Sequence, residues 1–129
     1  MRKYNSTIII LFTIALIISA CGKASDPAAR AVESYFNALV NKDASALSAV
    51  SCAEWEPDAL MELDSLQAVK TKLDNLSCAT SSTDGSTSEV NCQGKILVTY
   101  NDENQELDLS VRTYKVVQQG SEYLFCGNK

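Results

Sequence analysis

The spacing of apolar side chains changes twice along this chain and predicts three kinds of segment. Residues 8–20 (IIILFTIALIISA) form an uncharged run without periodicity. Val32, Tyr35, Phe36, Leu39 and Val40 then recur at i, i+3, i+4, i+7 and i+8, which is one apolar stripe of a helix. Asp26-Pro27 is a fitting start for it, a capping carboxylate followed by proline at the first helical position. Asn41-Lys42 breaks the pattern, and Asp43 caps a short second helix carrying Leu47 and Val50. Pro57 opens a third helical region whose inward residues are expected to be Leu60, Leu63, Leu66, Val69 and Leu73, with a break near Asp64-Ser65.

From Leu76 onward the period is two. Val90, Cys92, Ile96, Val98 and Tyr100 fall on one face, and Asn91, Gln93, Lys95 and Thr99 on the other. Asp84-Gly85-Ser86, residues 101–105 (NDENQ) and Gly120-Ser121 are turn-like. Leu107, Leu109 and Val111 share a face, but Tyr114 and Val116 are out of phase with them, so a bulge is expected near Arg112-Thr113. Helices followed by strands predict an α+β fold, N-terminal helices packed on a curved four-stranded antiparallel sheet.

The leading apolar run is 13 residues, too short to span a bilayer, which takes about 20. With Arg2 and Lys3 before it and Ile18-Ser19-Ala20 leading into Cys21, it resembles the signal peptide of a bacterial lipoprotein. The resemblance implies cleavage after residue 20, a palmitate-type lipid on Cys21 and a polar tether over residues 21–26. One domain over residues 27–129 would then lie in the cell envelope, outside the cytoplasm. Cleavage also removes two of the 11 basic residues, leaving 9 against 16 acidic ones, a net charge of −7. Such a surface repels nucleic-acid backbones and offers no polybasic patch to lipids, so the membrane partner would be reached through the anchor alone.

Four cysteines remain: Cys52, Cys78, Cys92 and Cys126. An even number in a small exported domain points to two disulfides. Three pairings are open. A three-residue hairpin loop centred on Gly85 sets Cys78 opposite Cys92, which favours that bond and leaves Cys52 for Cys126. The chain has no histidine and no CxxC, so no metal and no cofactor are expected.

Residues 32–50 (VESYFNALVNKDASALSAV), with an aromatic-bearing helix, a Lys42-Asp43 turn and a second short helix, resemble the opening of proteins of the nuclear transport factor 2-like, or cystatin-like, superfamily. That resemblance implies a cone-shaped cavity between helices and sheet, with Tyr35, Phe36, Trp55, Tyr100 and Tyr114 as its lining, and it allows a homodimer through the sheet. It also implies that catalytic members use Asp and His; with no His, the usual near-neutral proton carrier is missing. No GxSxG, P-loop or dinucleotide fingerprint is present. Asp43 and Glu33 are the nearest carboxylates for an acid–base role, against plainer roles as a helix cap and a solvated face. The acidic residues Glu54, Glu56, Asp58, Glu62 and Asp64 lack calcium-loop spacing and are expected to form a solvated surface. The expected function is a non-catalytic binding module for a small ligand or an envelope protein. The alternatives are a carboxylate-dependent lyase, isomerase or hydrolase, and a structural or assembly module.

Overall fold

A computed structural model describes residues 26–129; the expected signal segment, Cys21 and most of the tether lie outside the described residues. Three helices come first, α1 (Pro27–Val40), α2 (Ala44–Val50) and α3 (Glu56–Ser65). Five strands follow: β1 (Lys70–Asp84), β2 (Thr87–Tyr100), β3 (Glu103–Asp108), β4 (Thr113–Gln119) and β5 (Glu122–Asn128).

The first two helix starts follow their local chemistry. The Asp26 carboxylate accepts from Ala29 N–H and the Asp43 carboxylate from Ala46 N–H, both at 2.9 Å, and each satisfies an amide that the helix itself leaves unpaired. Lys42, between α1 and α2, takes a left-handed φ of 58°. Its ammonium donates to Gln67 O and Val69 O, fastening the turn to the segment after α3. Helix α1 buries Val32, Tyr35, Phe36 and Leu39 together with Ala28, Ala29, Ala31 and Ala38. The small alanines let its backbone approach the sheet while the large side chains fill the interior.

The third helix is shorter than its apolar spacing predicts. It ends at Ser65, and β1 begins at Lys70, so Leu73 is a strand residue paired with Ile96, and Val69 belongs to neither element. A spacing of three or four among leucines continues by chance into a strand whose inner face also wants apolar residues.

All strand pairs are antiparallel, in the order β1-β2-β4-β5. The sheet has five strands rather than four because the segment expected to be one bulged strand is divided. β3 pairs with the Lys95–Tyr100 part of β2, and β4 pairs with residues 87–91 of the same edge. Between them a single 3-10 turn, Leu109–Val111, steps away from the sheet. Asp108 caps this turn by accepting from both the N–H and the hydroxyl of Ser110. The phase slip is therefore a helical turn, which re-aims Tyr114 and Val116 inward as a bulge would.

The β1–β2 hairpin reaches its cysteine pairing by an unexpected register. The turn has two residues, Gly85 and Ser86, since Asp84 pairs with Thr87. Left uncorrected, that register would face Cys78 with Gln93. An irregularity between Thr80 and Ser82 admits one extra residue on β1, and Cys78 then faces Cys92. A second shift follows, where Asn75 (φ 53°) and Gly94 (φ 100°) lie against one another. A Cβ on Gly94 would meet Asn75 O at 2.5 Å, so only glycine fits there.

The structure joins Cys78 to Cys92 and Cys52 to Cys126. The Cα atoms of Cys78 and Cys92 are 4.1 Å apart, as in a non-hydrogen-bonded antiparallel pair. In such a pair the Cys78 N–H points away from β2, along the open edge of β1. Glu33 of α1 accepts it at 3.0 Å, and Asp26 accepts the next outward amide, Thr80 N–H, at 3.2 Å. The Glu33 carboxylate of α1 and that of its cap, Asp26, thus cover part of an edge that would otherwise offer its amides to another chain.

Candidate functional site

A cavity of about 380 Å3 lies where the 3-10 turn leaves the sheet. Helix α1 supplies Tyr35, Phe36 and Leu39 to it, and α3 supplies Glu62 and Ser65, with Leu66 just past its end. Ile96 of β2, Tyr114 of β4 and Phe125 of β5 complete the inner wall, and Leu107, Asp108, Val111 and Arg112 lie at the outer side. The inner wall is a packed aromatic group. Tyr35 stacks on Phe125 with ring centres 3.8 Å apart, and Phe36 meets Tyr114 edge to face at 5.1 Å. Leu107 and Val111 are exposed, and give the mouth an apolar lip.

One polar chain crosses this apolar setting. Trp55 Nε1 donates to Tyr35 Oη at 3.1 Å, and Tyr35 Oη donates to Glu62 Oε2 at 2.6 Å. The connector between α2 and α3 sets the indole in place. Cys52 is bonded to Cys126 and donates its N–H to Phe125 O, and Trp55 N–H returns to Cys52 O. The indole then lies on Gly127 (φ 106°), where a Cβ would come within 3.0 Å of its ring. That contact and the positive φ both call for glycine at this position.

The electrostatics of the chain follow from burial. Desolvation pushes the Glu62 carboxyl above its ordinary 4.5; the Tyr35 hydrogen bond and the charge of Arg112 pull it partly back, and Asp58 adds to the rise. Desolvation likewise raises the Tyr35 hydroxyl, and the Glu62 carboxylate that accepts its proton raises it further. Tyr114 is pushed up to about 12, chiefly by burial, and its hydroxyl donates to Leu109 O at 2.8 Å. That bond ties β4 back to the 3-10 turn and fixes the height of the lip.

Three of the five aromatic residues expected to line a cavity, Tyr35, Phe36 and Tyr114, do so. Trp55 lies behind Tyr35 and lines a shallow depression with Asp58, Met61 and Glu62. Tyr100 does not belong to the site: at the end of β2, beyond the reach of the helices, it is 57% exposed. Asp43 is spent on capping α2 and Glu33 on the β1 edge, so neither faces the cavity. The group that sequence reasoning missed is Glu62. Its neighbours in an acidic run hide it, yet it stands between Leu60 and Leu63, three and four residues from Ala59 and Leu66, on the border of the buried face of α3. Among the described residues no group of three or more His, Cys, Asp or Glu is placed to hold a metal ion, and no helix is long and apolar enough to cross a membrane.

No family model matches the chain, and no curated protein is similar to it in sequence. Among solved structures it is similar to that of a SEC-C motif containing protein from Rhodopseudomonas palustris. The TM-score is 0.52 at 12% identity, over 77% of this chain and 74% of that one. At this identity the likeness concerns the fold alone. It overturns the expected kinship with the nuclear transport factor 2-like superfamily, and it lends nothing to kinship with bacterial lipoproteins. The residues that carried the first expectation have local explanations. Asp43 caps a helix, Lys42 fastens a turn, and the aromatic positions of α1 fill a core. Those are needs of many α+β domains, and of no one family.

Proposed function

We propose that this protein is an exported binding module, held at a membrane through lipid on Cys21, that takes a small ligand into the cavity between α1, α3 and the sheet. One observation carries the reading. A cavity of about 380 Å3 with an aromatic inner wall contains a half-buried carboxylate, Glu62, already oriented by a buried hydroxyl. Small-molecule sites are of this size and build, mostly apolar with a few fixed polar groups. The outer sheet face, by contrast, carries Glu89, Asn91, Gln93, Lys95 and Thr99 along β2 around one apolar residue, Leu97, which suits solvent better than an envelope-protein partner or a second subunit.

Trp55 is the single tryptophan and is bonded to the hydroxyl that holds Glu62, so its fluorescence reports on occupancy. Titration of the full chain with a small-molecule library is expected to shift that emission saturably for at least one compound. A library in which nothing shifts it, while an envelope extract binds firmly, would replace the ligand reading with a protein partner. Intact mass and N-terminal analysis of protein from its native membrane test the anchor: a chain beginning at acylated Cys21 is expected, and an unmodified Met1 removes it.

A second reading draws on Glu62 as well. A carboxyl raised by burial beside an open cavity is the group that a carboxylate-dependent lyase, isomerase or hydrolase would use for proton transfer. Turnover that disappears in Glu62→Gln while ligand binding persists would favour catalysis; binding without turnover favours the module.

A further inference from the structure

The charges around the cavity narrow what fits it. Glu62 Oε2 receives the Tyr35 proton, but a carboxylate has about four acceptor sites, and one hydrogen bond leaves most of them open. The nearby cation is Arg112, which is exposed and forms no salt bridge with Glu62 within 4.0 Å; the pairs among the described residues are Lys95–Glu106 and Lys129–Glu89. Two further acidic residues, Glu106 and Asp108, border the cavity, but they stand opposite Leu97 and Lys95 in the β2–β3 pair, so their carboxylates share the outer sheet face with Lys95. Glu106 is answered by Lys95 at 2.8 Å, and Asp108 is bonded only to Ser110. Inside the cavity a ligand therefore meets one half-buried carboxylate, Glu62, set in an apolar and aromatic interior, with Arg112 exposed at the outer side.

Building on the binding reading, we infer that the cavity takes a small organic ammonium: a protonated amine that donates to the Glu62 carboxylate, carried on a compact apolar or aromatic body that packs against Phe36, Ile96 and Tyr114. An anion of the same shape meets the Glu62 carboxylate, with only the exposed Arg112 to receive it. A neutral alcohol satisfies one acceptor and leaves the half-buried charge uncompensated. An ammonium brings three donors and the opposite charge to the same point, and aromatic faces attract it as well.

Three probes of similar shape separate these cases: 2-phenylethylammonium, 2-phenylethanol and 3-phenylpropanoate, titrated into the full-length chain and followed by Trp55 emission. The ammonium is expected to bind at least about tenfold more tightly than the other two, since a hydrogen bond to a charged group contributes more than a neutral one. Glu62→Gln is expected to reduce ammonium affinity about tenfold and leave the alcohol within about twofold. Arg112→Gln is expected to tighten ammonium binding a few-fold at low salt and to lose that gain at high salt. Leu107→Phe, at the mouth, is expected to weaken all three probes. Thermal unfolding of each variant confirms that it is folded.

Equal affinities, or an ammonium affinity that Glu62→Gln leaves unchanged, overturn the amine assignment while the cavity remains a binding site. Saturable binding that Leu107→Phe does not touch overturns it too, by placing the probes elsewhere. If none of the three shifts the emission up to about 10 mM, both the amine assignment and the small-ligand reading beneath it fall.

Discussion

Tyr35 has no exposed surface, yet its hydroxyl serves two polar partners, the indole of Trp55 and the carboxylate of Glu62. Tyr35→Phe keeps the ring and its stacking on Phe125 but strands an indole N–H and a half-buried carboxylate. Urea denaturation is expected to show a loss of about 1–3 kcal/mol, the range for leaving buried partners unsatisfied; an unchanged midpoint would mean that water replaces the hydroxyl. Glu62 itself gives a signed pH effect. Its folded carboxyl lies above the ordinary 4.5, so the fold holds that proton more tightly than the unfolded chain does. The stabilisation is present below 4.5 and is lost as pH rises through the folded value. The groups facing it are Tyr35 from α1, Asp58 on its own helix and Arg112 before β4. Wild-type stability relative to Glu62→Gln is therefore expected to decline as pH rises from about 4, measured by unfolding at a series of pH values. A gap that grows in favour of wild type would mean that Glu62 is stabilised as the carboxylate.

Among the elements, the two disulfides act on different parts of the fold. Cys78–Cys92 closes a separation of 14 residues within one hairpin, and Cys52–Cys126 one of 74 between the helical half and the last strand. By the loop-entropy argument the longer closure contributes roughly 1–1.5 kcal/mol more. It also holds the connector that delivers Trp55. Replacing Cys52 and Cys126 together by serine is expected to cost more stability than replacing Cys78 and Cys92, and to shift the Trp55 emission, which the second pair should leave alone. Calorimetry and fluorescence on the two double variants decide it. Helices α1 and α2 were legible because their caps and stripes are local. The end of α3 was not, since its leucine spacing runs on through Leu73, and only pairing with Ile96 makes that residue part of a strand. The 3-10 turn left a trace, the phase slip between Val111 and Tyr114, but the trace alone does not distinguish an extra strand residue from a helical turn.

Across the molecule, stability is expected to be uneven. β3 pairs with β2 alone and every one of its side chains is exposed, while β2 and β4 carry Val90, Cys92, Ile96, Tyr114 and Val116 at the core. Hydrogen exchange is expected to be fastest in β3 and slowest where β2 meets β4, with a difference of several kcal/mol in opening free energy on the order of the global value. Uniform protection across the sheet would show that β3 opens only with the whole domain.

The sequence by itself determined the helix starts, the strand phase, the even set of cysteines and the acidic, histidine-free chemistry, because each depends on neighbours within a few residues. Tertiary structure decided the rest. The Ser81 irregularity chose which residue faces Cys78, and the 3-10 turn opened the cavity. The meeting of α1, α3 and the Trp55 connector made one glutamate of an acidic run different from the others. Burial and hydrogen bonding across long separations set those features, and no local pattern encodes them.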